Sequence, residues 1–243
     1  MHHLRSSKIK SLRVCFRYFT CFFSFIIFQN KLAFAQPNLP QYDNKKVHFG
    51  FTLASNIGRM QVETRPEAFL GGDSLRNVSV ANFPGIGLGA ITNFKLGKHW
   101  DIRLMAPVIS FVQRNLTYDF DNSQKVVKVE SAYCDASLLV KYKSERRGNT
   151  RVYVVAGPRF SFDFGSTINK TRGIQNPVVS LVPFTYGWEA GIGLDIYFEY
   201  FKFSPEIKTC QTITNALYRD IYPYTQSIES IYPQLIQISL HFE

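Results

Sequence analysis

No stretch after Ala35 approaches the roughly 20 consecutive apolar residues that a membrane-spanning helix needs, so a helical membrane protein is excluded for the body of the chain. Cysteine is scarce. Two of the four, Cys15 and Cys21, fall before Ala35, and Cys134 and Cys210 are too few for a disulfide framework. Those two could pair in an oxidising compartment or stand apart as small wall residues. Histidine is scarce too after Ala35, with His48, His99 and His241 alone. His48 opens an alternating segment and His241 nearly closes the last one, so the two rings could meet at a rim. A metal would want a third ligand, and the spacing supplies none. No motif sets a serine or cysteine against a base. There is no phosphate loop, no CxxC pair and no repeat. These absences predict no catalytic, metal or cofactor-binding residue, and a protein that is not an enzyme.

Acidic residues are missing altogether before Asp43, and that absence frames the N-terminus. Arg5, Lys8, Lys10, Arg13 and Arg17 precede an apolar run from Phe19 to Phe28, and Ala33-Phe34-Ala35 follows as an A-x-A cleavage signal. Together they predict a secretory signal peptide over residues 1–35, a mature start at Gln36 and a short lead over residues 36–46. With Lys31, six of the 28 basic residues leave with this segment and none of the 18 acidic ones does, so the net charge falls from +10 to +4. The basicity is largely a targeting feature, and no nucleic-acid partner is expected.

What the mature chain does contain is alternation. From Phe184 to Phe198 the even positions are Phe, Tyr, Trp, Ala, Ile, Leu, Ile and Phe, while the odd positions include Thr185, Gly187, Glu189, Gly191, Gly193 and Asp195. Successive side chains of a strand point to opposite faces, so one face is apolar and the other small and charged. Rings at both ends with aliphatics between suit a strand facing lipid. A second strand from Lys202 sets Phe203, Pro205, Ile207 and Ile213 against Lys202, Ser204, Glu206 and Lys208.

Similar segments run over 47–53, 85–94, 100–113, 129–143, 152–164 and 234–242, eight strands in all. In the third, Trp100, Ile102, Leu104, Ala106 and Val108 are expected to face outward. The gaps alternate in length. Gly58–Pro84, Arg114–Lys128, Gly165–Pro183 and Asn215–Pro233 are long, and Lys95–His99, Ser144–Arg151 and Glu199–Phe201 are short. An even count with one end short and one end long predicts an all-β fold. Residues 47–243 form an eight-stranded antiparallel up-and-down transmembrane β-barrel, with short turns at the periplasm and long loops outside. A secreted β-sandwich is the competing all-β fold, but it has no reason to alternate loop lengths.

An eight-stranded barrel has room inside only for side chains. Parity directs Arg103, Lys141, Arg159, Lys202 and Lys208 inward with Asp101, Asp135, Asp163, Glu189, Asp195 and Glu206, a nearly neutral set. Such a set predicts a packed, mutually paired polar interior rather than an open pore. Lys202 and Glu206, just past a short turn, are also candidates for a charged rim that meets a partner. In the last loop Tyr218, Tyr222 and Tyr224 are suited to protein contact or to capping the barrel mouth. The expected surroundings are outer-membrane lipid, with no small-molecule substrate.

Three groups of segments resemble a known family. Lys45-Lys-Val-His-Phe-Gly-Phe-Thr-Leu53 is similar to its first strand. Gln113–Tyr118, Val129–Tyr133 and Leu138–Lys143 are similar to its third and fourth. Tyr200-Phe-Lys-Phe-Ser-Pro-Glu-Ile-Lys208 with Thr214–Leu217 is the most specific. Together they resemble PorT, the outer-membrane barrel component of the type IX secretion system of Bacteroidetes. The resemblance implies a non-enzymatic outer-membrane protein that works with other secretion-system proteins to export substrates bearing a C-terminal sorting domain, and that often serves gliding motility. The chain also ends Ile-Ser-Leu-His-Phe-Glu, similar to the terminal aromatic strand that outer-membrane assembly machinery reads. Without the resemblance, a passive surface barrel or adhesin with outward loops is the alternative.

Overall fold

The structure, a computed structural model, describes residues 38–65, 75–120, 124–165, 179–219, 225 and 227–243. The expected signal peptide, Gln36, Tyr222 and Tyr224 lie outside these residues. A short 3-10 turn, Tyr42–Asn44, is followed by β1 (Val47–Thr64), β2 (Leu75–Asn82), β3 (Pro84–Lys95), β4 (Trp100–Phe120), β5 (Gln124–Lys143), β6 (Thr150–Asp163), β7 (Phe184–Tyr197), β8 (Lys202–Thr212) and β9 (Ile228–Phe242).

Every pairing is antiparallel, and the ring closes on itself. β1 pairs with β3 from Val47 opposite Phe94 to Ile57 opposite Pro84, and with β9 from Phe51 opposite Phe242 to Thr64 opposite Ile228. β3 continues to β4, and neighbours in sequence pair from there round to β9. β2 pairs with β4 alone, just beyond the end of β3. The two pieces occupy one place in the wall, so the ring has eight positions built from nine strands among the described residues. Closure satisfies the backbone of each wall strand by its neighbours, which a chain crossing lipid requires.

The outer face carries an apolar belt. Phe49, Phe51, Leu53 and Ile57 on β1 are exposed, as are Ile86 and Leu88 on β3, Val152, Val154, Phe160 and Phe162 on β6, and Phe184, Tyr186, Trp188, Ile192 and Leu194 on β7. In water such a surface would be a liability. Val47–Ile57 is about the 9–11 residues a tilted strand uses to cross a bilayer.

Three expectations from the sequence need correction. First, Val108 does not continue the outward set. The β4–β5 register shifts between Met105 and Val108, and this irregularity reverses the parity of everything after it. Val108 is buried, and Ile109 and Phe111 face out in its place. Second, much of the expected loop over 58–84 is strand, in β1 to Thr64 and in β2, and so is most of 114–128. Third, β9 begins at Ile228, inside the expected loop over 215–233. The cause is an inversion of polarity. Beyond the belt the outward residues become Arg59, Gln61 and Glu63 on β1 and Gln113, Asn115 and Thr117 on β4, while the inward residues become apolar. Met60, Leu116, Tyr118, Val127, Val129, Ile228 and Ile231 form a core there with Val179, Leu181, Ala216 and Leu217. The strands have left the lipid and enclose an ordinary hydrophobic core, which a search for apolar-outward alternation passes over.

Inside the belt, glycine makes the room that larger residues fill. A methyl group at Gly193 would stand 2.4 Å from both the ring and the hydroxyl of Tyr153. That tyrosine is fully buried and donates to Glu206 Oε2 at 2.9 Å. Gly193→Ala is expected to displace it and to cost about 1–3 kcal/mol, as overpacking does elsewhere. Chemical unfolding of the detergent-folded protein measures this, and wild-type stability in the variant would contradict the packing described.

Candidate functional site

The lumen within the belt is filled by ion pairs, and each strand contributes by its inward parity. Arg103 on β4 donates from Nη1 to Glu206 Oε2 on β8 at 2.6 Å and from Nε to Asn93 Oδ1 on β3 at 2.9 Å. Lys141 on β5 holds Asp195 on β7 at 2.8 Å, and Ser204 on β8 donates to the same carboxylate at 2.8 Å. Arg159 meets Asp135 at 2.7 Å, and Lys208 meets Glu189 at 3.0 Å. All of these side chains are buried. Tyr153 sits among them with Lys141 Nζ 3.7 Å and Arg103 5.1 Å from its ring centroid, a cation–π arrangement on top of its bond to Glu206. A buried charge is costly unless paired, and each of these cations has a carboxylate partner, although Arg103 Nη2, Asp135 Oδ1 and Glu206 Oε1 make no hydrogen bond among the described residues.

The sequence-derived set is therefore brought together with two exceptions. Asp163 is buried but pairs with no cation in the described structure. It accepts the backbone N–H groups of Ala132 and Gly165 at 3.1 and 2.8 Å. The charged rim expected at Lys202 and Glu206 is not a surface, since both residues are buried. β8 keeps strict alternation from Lys202 to Thr212, so its even positions face the lumen down to its first residue. Lys202 donates to Glu243 at 2.6 Å, and Glu206 lies with Arg103 and Tyr153.

Several members of the network were not foreseen. Glu243 is buried between Lys202 and Arg103, the latter at 3.8 Å. Lys143 meets Asp101 at 2.7 Å. Arg151 meets Asp43 at 2.9 Å. Glu243 and Arg151 lie on the inward parity of their strands, one step outside the ranges the sequence suggests, and Lys143 is the last inward residue of the expected strand over 129–143. Arg114 was concealed by the irregularity in β4. It is fully buried, packs within the reach of a Cβ at Gly58 and donates weakly to the Tyr133 hydroxyl at 3.4 Å.

The lead before β1 seals the short-turn end. Tyr42 stacks on His48 at 4.0 Å, meets Tyr197 edge-on at 5.6 Å and donates to Glu243 Oε2 at 2.8 Å. Asn38 donates to Asn149 Oδ1 and to the Tyr197 carbonyl, and its own carbonyl accepts from Arg146. Burial alone would raise the Asp43 carboxyl, but the hydrogen bonds and charge of Arg151 outweigh it and hold the group below its ordinary value. A depressed acid stabilises above its unfolded pKa and is lost only as pH falls through the folded one, so this tether survives mild acidification.

The other singled-out residues fall apart from one another. His241 is buried in the lumen with Nε2 3.4 Å from Glu206 Oε2, whereas His48 lies under Tyr42, so the two rings make no common rim site. Among the described residues no three metal-ligating side chains cluster. Cys134 and Cys210 are both free thiols, the first on an outward position of β5 and the second buried in the lumen. Tyr218 is exposed just past β8, with its backbone N–H on the Ser180 carbonyl.

A family model described as outer membrane protein beta-barrel domain matches residues 34–218. No curated protein matches the sequence. Among solved structures the chain is similar to the outer membrane protein OprG from Pseudomonas aeruginosa, at 12% identity and a TM-score of 0.46, over 81% of this chain and 92% of that one. It is also similar to Neisserial surface protein A, at 6% identity and a TM-score of 0.40, over 81% and 98%. A third is Ail, the attachment invasion locus protein of Yersinia pestis, at 8% and 0.36, over 82% and 98%.

Replacing Glu189 by Leu would leave Lys208 buried without its carboxylate and is expected to cost about 3–5 kcal/mol. Replacing Ile192 by Leu on the exposed outer face is expected to be nearly silent. Equal tolerance at the two positions in unfolding titrations would mean that the faces are inverted.

Proposed function

The chain belongs to the outer membrane protein beta-barrel domain family, and from that premise we propose that it is a non-enzymatic component of a type IX protein secretion machine. It acts through the two ends of the barrel rather than through its lumen. The sealed interior supports the second half of this reading. Ion pairs fill the belt, Tyr42 and Asp43 close one end and an apolar core fills the other, which among the described residues leaves little room for a substrate to pass. The first half is carried by the resemblance of Tyr200–Lys208 and Thr214–Leu217 to PorT. Tyr200–Lys208 forms the last short turn and most of β8, with Lys202, Ser204, Glu206 and Lys208 in the lumen network, and Ala216 and Leu217 pack in the apolar core beyond it. Contacts with other secretion proteins then fall to the turns and to the projecting strands.

One observation favours the alternative of a surface barrel or adhesin. β4 and β5, at 21 and 20 residues, run well past the belt and present polar side chains outward. A clean deletion of the gene separates the two. The secretion reading expects sorting-domain substrates trapped in the periplasm behind an intact outer membrane. Unchanged export, with binding to a surface lost when the projecting strands are shortened, would end it in favour of the adhesin.

A further inference from the structure

The two ends of the barrel differ in outward charge. At the long-strand end the described side chains balance, Arg59, Arg65, Lys128 and Arg219 being set against Glu63, Asp119, Glu130 and Glu229. At the short-turn end they do not. Lys45, Lys46, Lys95, Lys98, Arg146 and Arg147 stand there with Glu145 and Glu199, because Asp43 is held by Arg151 and Glu243 is buried against Lys202.

These cations form one arc. The Lys95 N–H donates to the Lys46 carbonyl at 2.8 Å, which joins the start of β1 to the turn after β3. Lys98 reaches Glu145 at 2.6 Å, which joins that turn to the one holding Arg147. Lys95 and Arg146 are partly engaged, by the Asp43 carbonyl and by the Tyr197 ring at 3.9 Å. Lys45, Lys46 and Arg147 are exposed and have no ion pair among the described residues. The opposite arc of the same rim is aromatic instead, with Phe198, Phe201, Phe203 and Phe242 in successive ring contact and Tyr200 fully out in solvent.

The arc lies immediately at the edge of the belt. Lys46 precedes Val47, Lys95 stands between exposed Phe94 and Leu96, and Lys98 is two residues from exposed Trp100. A cation one residue beyond a lipid-facing ring sits at the depth of lipid phosphates, where basic side chains attract anionic headgroups. We propose that the arc Lys45–Lys46–Arg147 is a docking surface for anionic phospholipid headgroups, with the acyl chains lying on the adjoining belt. An acidic protein segment would find the same charges, but it would have no use for their alignment with the edge of the belt.

The test uses the full chain reconstituted with phosphatidylcholine containing a minority of phosphatidylglycerol, followed by mild extraction and quantification of the lipid that stays bound. The wild type is expected to retain phosphatidylglycerol above its input fraction, and raised salt should weaken the preference. The triple variant Lys45→Glu, Lys46→Glu, Arg147→Glu should fall to the input fraction while keeping heat-modifiable migration in gels. Should it fail to fold, the milder triple variant to Gln is expected to lose most of the preference. Retention at input by the wild type, as an arc meant for an acidic protein would give, overturns the proposal. So does equal enrichment in wild type and a folded variant.

Discussion

Everything in this barrel depends on one constraint: charges placed inside an eight-position ring are shut away from bulk solvent and must neutralise one another in place. The walls are close enough that partners come from across the lumen. Arg103 on β4 finds Glu206 on β8, and Lys141 on β5 finds Asp195 on β7. Pairing across the ring ties strands that share no backbone hydrogen bonds, so the network braces the cylinder as well as filling it. The same constraint explains why glycines occupy inward positions. Gly193 leaves the volume that Tyr153 takes, and Tyr153 in turn serves Glu206 and two cations at once.

A second consequence is that the barrel is two structures end to end. Within the belt the outside is apolar and the inside charged. Past Ile57 on β1 and Phe111 on β4 the rule reverses, and Met60, Leu116 and Val129 pack as they would in a water-soluble sandwich. On β1 and β4 the residue-by-residue alternation runs on through this switch, but its meaning changes with the solvent outside. A filled interior with sealed ends leaves only outer surfaces for meeting other molecules. At the short-turn end those surfaces divide into a basic arc and an aromatic one.

How much of this was legible follows from which signals are local. The β7–β8 hairpin was readable to within one residue at its ends, because Phe184–Phe198 alternates without a break. The inward set was readable for the same reason, down to Asp135 and Arg159. Which residues pair was not, since partners such as Arg103 and Glu206 are 103 positions apart and nothing in parity relates them. Glu243 and Arg151 were missed by one step of strand length, which sequence patterns define poorly. Val108 was misplaced by an irregularity at Met105–Val108, whose local signal is no stronger than that of an ordinary proline. The rim role imagined for Lys202 and Glu206 failed because alternation does not stop at the membrane edge.

A self-neutralising interior requires a lumen closed to water, and Cys210 is a native probe of it. Its thiol is buried 3.4 Å from Glu189 Oε2. With Cys134 replaced by Ser, a small charged thiol reagent applied to the folded protein in bilayers should leave Cys210 unmodified over hours and react promptly once the barrel is denatured. Rapid modification of the folded protein would mean that the lumen is open, and the sealed, self-neutralising interior would be wrong.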